Sequence, residues 1–146
     1  MHKLEVIVTS AAEARVAETA GADRLELVRD LDTGGLTPSL ETVRQVTAAV
    51  SIPVRVMLRE NSSMAVASAA EVKILQSTAA QFQTLPVHGL VMGWVTASNE
   101  VDTASLEAVL SAAEYVTAHT RYSVSPFTIN TYLLPLITSN PVMRSH

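Results

Sequence analysis

The run GADRLELVRDLDTGGLTPS, Gly21 to Ser39, holds a helix stop, a strand, a glycine loop and a helix start in succession. Gly21 follows an alanine-rich helical pattern and can take the left-handed conformation that closes a helix. Arg24 to Val28 alternates like a strand, with Leu25 and Leu27 on one face and Glu26 and Val28 on the other. Gly34 and Gly35 permit a tight turn or close approach to a ligand. Thr37 is the expected N-cap, with Pro38 at the first helical position, where a missing N–H costs nothing. A strand end, a loop and a helix N-terminus in that order is where α/β proteins place binding sites. Gly34, Gly35 and Thr37 therefore read either as a plain turn or as a cradle for a phosphate or carboxylate.

Outward from this run, strands and helices alternate. Leu4 to Thr9 reads as a strand, and Ser10 with Glu13 forms a capping box that opens a helix to about Ala20. Ala12, Val16 and Ala20 are its expected inner face. After Thr37 a helix carries Leu40, Val43, Val46 and Val50 at helical spacing, and Pro53 enters a strand from Val54 to Leu58. Ser68 and Glu71 repeat the capping box before a stripe of Val72, Leu75, Ala79 and Phe82, and Pro86 ends that helix. Gly89 to Val95 is a fourth strand, Asn99 a turn residue, Thr103 to Ala113 a fourth helix and Tyr115 to His119 a fifth strand. Repeated βα units imply a parallel sheet, either open or part of a TIM-type barrel. The usual nucleotide fingerprints, G-x-G-x-x-G and the P-loop, are missing.

Composition narrows the function classes. The 146 residues fit one domain, and 48% hydrophobic content is enough for a core. A net charge of −4 without a basic cluster argues against nucleic-acid binding. No residue is cysteine, so disulfides, thiolate metal sites and cysteine nucleophiles are excluded. The opening MHKLEVIVTS lacks a signal-peptide pattern, and no apolar run reaches the ~20 residues that span a bilayer.

Strand parity gathers the charged residues. If Val6, Val8, Leu25, Leu27, Val54, Val56 and Leu58 face the helices, then Glu5, Glu26, Arg55 and Arg59 all face the other side, a barrel's interior and mouth. Two carboxylates and two guanidiniums would neutralise one another there. A structural ion network and an acid/base or ligand-anchoring site account for this equally well. His119, near the end of a predicted strand, is a further candidate. Met57, Met64 and Met92 are too scattered for a methionine copper site.

These residues resemble the copper homeostasis protein CutC family. The likeness is carried by L-E-V at Leu4 to Val6, Ser10, G-A-D-R-L-E-L at Gly21 to Leu27 and G-G-L-T-P-S at Gly34 to Ser39. It continues with I-P-V at Ile52 to Val54, M-L-R at Met57 to Arg59, S-x-x-E at Ser68 to Glu71, G-L-V-x-G at Gly89 to Gly93 and V-D at Val101 and Asp102. The resemblance covers residues 4–117 and implies a TIM-type barrel, a cytoplasmic setting and a link to copper, with a small molecule or a metal ion as partner. It also implies a site of Glu5, Glu26 and Arg59, with Ser10 and His119 nearby. Such a mouth looks more like an enzyme site for a small anionic metabolite than a Cu(I) site, which prefers sulfur. Where family members often carry cysteines just after the glutamates of the first two strands, this chain has Ile7 or Val8 and Val28; Asn61 and Met64 stand where the family has an arginine and an aspartate.

A full barrel needs about 250 residues. Residues 1–117 are therefore expected to form a partial barrel of four to five βα units. All acidic residues end at Glu114, so residues 118–146 read as a divergent tail and not as family sequence. A half-barrel would expose two sheet edges, at the first strand and at the fourth or fifth, inviting self-association. Pro135 and Pro141 argue against an orderly strand in the apolar stretch Tyr132 to Ile137. The short chain is then either an inactive fragment or a protein that works as an oligomer.

Overall fold

The computed structural model describes residues 3–112 and the strand segments 121–124 and 132–135. Four βα units run in order: β1 (Glu5–Val8), α1 (Ala11–Thr19), β2 (Arg24–Leu27), α2 (Leu40–Ala49), β3 (Val54–Met57), α3 (Ala69–Phe82), β4 (Gly89–Val91) and α4 (Thr103–Ala112). β5 (Arg121–Val124) and β6 (Tyr132–Pro135) follow. The strands lie side by side in sequence order; β1 to β5 are parallel and β6 returns antiparallel to β5. This is the partial (β/α) barrel that the alternation implies.

The core lies between sheet and helices. Val8, Leu25, Leu27, Val54, Val56, Leu58, Leu90, Met92 and Trp94 meet Ala14, Ala17, Val43, Val46, Leu75, Ala79, Phe82, Leu106 and Val109 there. Val28, Met57 and Val91 form a smaller apolar cluster on the opposite, inner face. Burying a Leu or Phe stabilises by about 1.5–3 kcal/mol, so the helix-facing layer dominates. Ser10, Ser39 and Ser68 cap α1, α2 and α3, each hydroxyl accepting the N–H three residues on.

Some expected details differ. Ser39, not Thr37, caps α2, because Thr37 is buried and its hydroxyl is committed to the backbone of Arg59. Helix α1 buries Ala14 and Ala17, whereas Val16 is 69% exposed and Ala12 and Ala20 are also open. Both stripes have helical spacing; the one that packs on the sheet is Ala14 and Ala17, and Val16 faces the open groove beside β1. β4 ends at Val91, shorter than expected; Val95 instead forms an isolated antiparallel bridge with Val101. Tyr132–Pro135 is a strand despite its proline, which is tolerated because it stands at the end of an edge strand. The edges of the described sheet are thus β1 and β6. The strand expected at Tyr115 to His119 lies outside the described residues.

Candidate functional site

Register brings the inner-face charges together. Glu5 lies opposite Arg24 and Ile7 opposite Glu26 across β1 and β2; Glu26 lies opposite Arg55 across β2 and β3. One oxygen of Glu5, Oε2, takes both guanidiniums, pairing closely with Arg24 Nε and lying 3.5 Å from Arg55 Nη1. Arg55 is only 3% exposed. Glu26 is partly buried, and its pKa is pushed up to about 7. Burial is the main cause and the charge of Glu5 the second; Arg55 and Arg24 oppose them. Near neutral pH this carboxyl can therefore give or take a proton. Arg24 was not singled out from the sequence, although strand parity places it on the same face two residues before Glu26.

Arg59 belongs to a different place. It lies beyond the end of β3, where its Nη1 donates to Met64 Sδ at 3.0 Å and its Nη2 to the Thr33 carbonyl at 3.3 Å. It is buried, and desolvation lowers its pKa. The Thr37 hydroxyl donates to the Arg59 carbonyl at 2.9 Å and accepts from the Arg59 N–H at 2.8 Å. The loop between β2 and α2 is thereby tied to the end of β3. Glu5 and Arg24 begin their strands, whereas Arg59 follows its own, so the shared face carries these groups at different heights.

The remaining candidates sit at the same strand-end rim as Arg59. A single 3₁₀ turn, Leu31–Thr33, is bounded by Asp30 at φ 49° and Gly34 at φ 88°. Gly35 has φ 84°, which strains any L side chain, and a Cβ there would lie a tight 3.1 Å from Val28, so the turn itself accounts for the glycine. Ser10 spends its side chain on the α1 cap. Glu13 accepts from the Thr9 N–H and hydroxyl, which together hold its carboxyl below the usual range. Thr9, Glu13, Arg29, Asp30, Asp32, Ser39 and Thr42 line a cleft of about 530 Å³ at the start of α2. Its walls come from the turn between β1 and α1 and from the loop between β2 and α2, the loop that the sequence pattern pointed to. His119 lies outside the described residues, and His88 is an exposed loop residue.

Among the described residues the donor chemistry does not fit a copper ion. The chain has no cysteine, and among the described residues no group of three or more His, Asp or Glu converges to hold a metal. Glu5 is committed to arginines, and Met64 sulfur to Arg59. Among the described residues no helix is long and apolar enough to cross a membrane.

The sequence profile of the CutC family matches residues 2–128. A Sodalis glossinidius (strain morsitans) family protein CutC is 39% identical over 113 residues, 77% of this chain and 45% of the relative. One from Xanthomonas axonopodis pv. citri (strain 306) is 37% identical over 124 residues, 84% and 52% of the two chains. The chain thus spans about half the length of these relatives. A crystal structure from Streptococcus agalactiae, named as a copper homeostasis protein CutC, superposes with TM-score 0.71 at 25% identity, covering 80% of this chain and 57% of that one. A Burkholderia cenocepacia J2315 protein named as a phosphonomutase shares the fold, with TM-score 0.60 at 20% identity over 84% of this chain and 53% of that one. With the profile, the relatives and the sheet order in agreement, the chain belongs to the CutC family.

Proposed function

We propose that this chain serves copper homeostasis in the cytoplasm indirectly, by handling a small anionic molecule and not by ligating copper. Family membership and the name of the S. agalactiae relative support the copper link. The observation that carries the indirect route is the Glu5–Arg24–Arg55–Glu26 cluster, which offers cations and a titrating carboxyl but no soft donor. In this reading Glu26 is the acid/base group, with Glu5 holding the arginines around it, and Arg59 anchors the anion at the rim. Ser10, Gly34, Gly35 and Thr37 shape the rim backbone. In this reading residues 1–117 form the partial barrel and divergence sets in within 118–146, where the family profile ends at residue 128 and β5 and β6 still extend the sheet; sequencing the coding DNA there in all frames tests that boundary.

Two titrations test the function. Cu(I) and Cu(II) added to folded protein are expected to show no stoichiometric binding; a tight one-to-one complex overturns the indirect route. A series of small carboxylates and phosphates is expected to raise the melting temperature. Loss of that shift in both Arg55→Ala and Arg59→Ala variants would locate the site between inner face and rim. No shift with any anion removes the small-molecule reading.

A further inference from the structure

We propose that the inner-face cluster takes up a small monoanion together with one proton, and that Glu26 is the group that receives the proton. This rests on the reading that the inner face holds a small anionic molecule. Arg24 and Arg55 bring two positive charges, and Glu5 and Glu26 bring two negative charges when both are ionised. When both carboxyls are ionised these four groups sum to zero, and they add nothing to the attraction of an arriving anion. Protonating Glu26 leaves the cluster one positive charge in excess, beside the nearly buried Arg55. Arg55 keeps its pair with Glu5, and a bound monoanion balances the excess charge of the cluster as a whole. Anion and proton thus favour one another, and the linkage is reciprocal.

The geometry singles out Glu26 from the two carboxyls. A single oxygen of Glu5 already serves both arginines, so proton uptake there would dissolve the cluster. Glu26 stands in the next register row, between Ile7 and Arg55, where burial favours its neutral form. The charged groups that act on it are Glu5 from β1, Arg24 from its own strand and Arg55 from β3. Further along the row β4 contributes Gly89, without a side chain, and β5 places Arg121 in register. Ile7 is 49% exposed, so solvent and small solutes reach this end of the row. The step is an acid–base equilibrium only: the Glu26 carboxylate gains a proton from water and the anion enters unchanged.

The test follows the Glu26 side-chain carbon by NMR across pH, with and without pyruvate or acetate, neither of which titrates near neutrality. The Glu26 midpoint is expected to move upward with either carboxylate. Affinity is expected to fall about tenfold per pH unit above the free midpoint. Calorimetry in buffers of different ionisation heat should show uptake approaching one proton. Glu26→Gln, which mimics the protonated form, is expected to bind without pH dependence or proton uptake. Should that variant fail to fold, the wild-type titration alone decides. If a carboxylate perturbs the Arg55 resonances while the Glu26 midpoint stays put or falls, the proton linkage is wrong and the anion site stands. If neither carboxylate perturbs any residue at any pH, the site and the linkage fall together.

Discussion

Glu26 contributes a pH response opposite in sign to that of Glu13 and Glu18, whose pKa values are lowered. Its folded pKa, near 7, is above the unfolded value of 4.5, so the native state holds the proton over a range where the unfolded chain has released it. The stabilisation is complete below 4.5 and is lost as pH rises through 7. Its size is on the order of 3 kcal/mol. Glu26→Gln is therefore expected to be the more stable protein at pH 8 and to match the wild type near pH 4, measured by urea unfolding; parallel pH curves would show that burial does not govern this group. A second residue-scale expectation concerns two glycines. Gly21→Ala faces open space and meets only the cost of a left-handed alanine, about 1–2 kcal/mol, whereas Gly35→Ala adds a clash with Val28 and should lower the urea midpoint further. Parity along four-residue strands was enough to gather Glu5, Glu26 and Arg55 on one face. It could not separate Arg59 from them, because parity reports the face of a sheet and not the height along it.

At the scale of elements, the loop between β2 and α2 shows where local reading succeeds and where it stops. Its glycines and its helix start are local chemistry and were legible. The choice between Thr37 and Ser39 as cap was not, because both residue types cap well and the decision depends on Arg59, 22 residues away. Helix α1 repeats the lesson: two stripes with the same period compete, and only the fit against β1 and β2 selects Ala14 and Ala17. The two hydroxyls predict different losses. Ser39→Ala removes one exposed cap and should cost about 1 kcal/mol. Thr37→Val strips a buried partner from the Arg59 N–H and should cost about 1–3 kcal/mol. The valine variant is also expected to weaken carboxylate binding, since the same hydroxyl holds the end of the loop against the segment that follows β3. Unfolding free energies set beside binding curves check both; a larger loss from Ser39→Ala would mean that the Thr37 contact is incidental.

For the whole molecule, strand order followed directly from the alternation of elements, since short connections leave neighbours in sequence adjacent in space. Among the described residues β1 is one edge of the sheet, and the exposed apolar side chains gather beside it. Leu4, Ile7 and Val16 are 54%, 49% and 69% exposed along that one edge. Val6, Ile7, Val8, Ala12 and Val16 flank an apolar groove of about 440 Å³ between β1 and α1. An unpaired parallel edge beside exposed aliphatic side chains favours pairing with another strand. Self-association through this edge is therefore expected, with a mass by light scattering that rises with concentration above that of one chain. Placing a charge on each side of the edge, with Ile7→Lys and Val16→Glu together, should return the mass toward one chain without lowering the melting temperature, because neither side chain is in the core. A wild-type sample that stays monomeric while melting cooperatively would show that the edge is tolerated as it stands, and would detach self-association from the half-barrel geometry altogether.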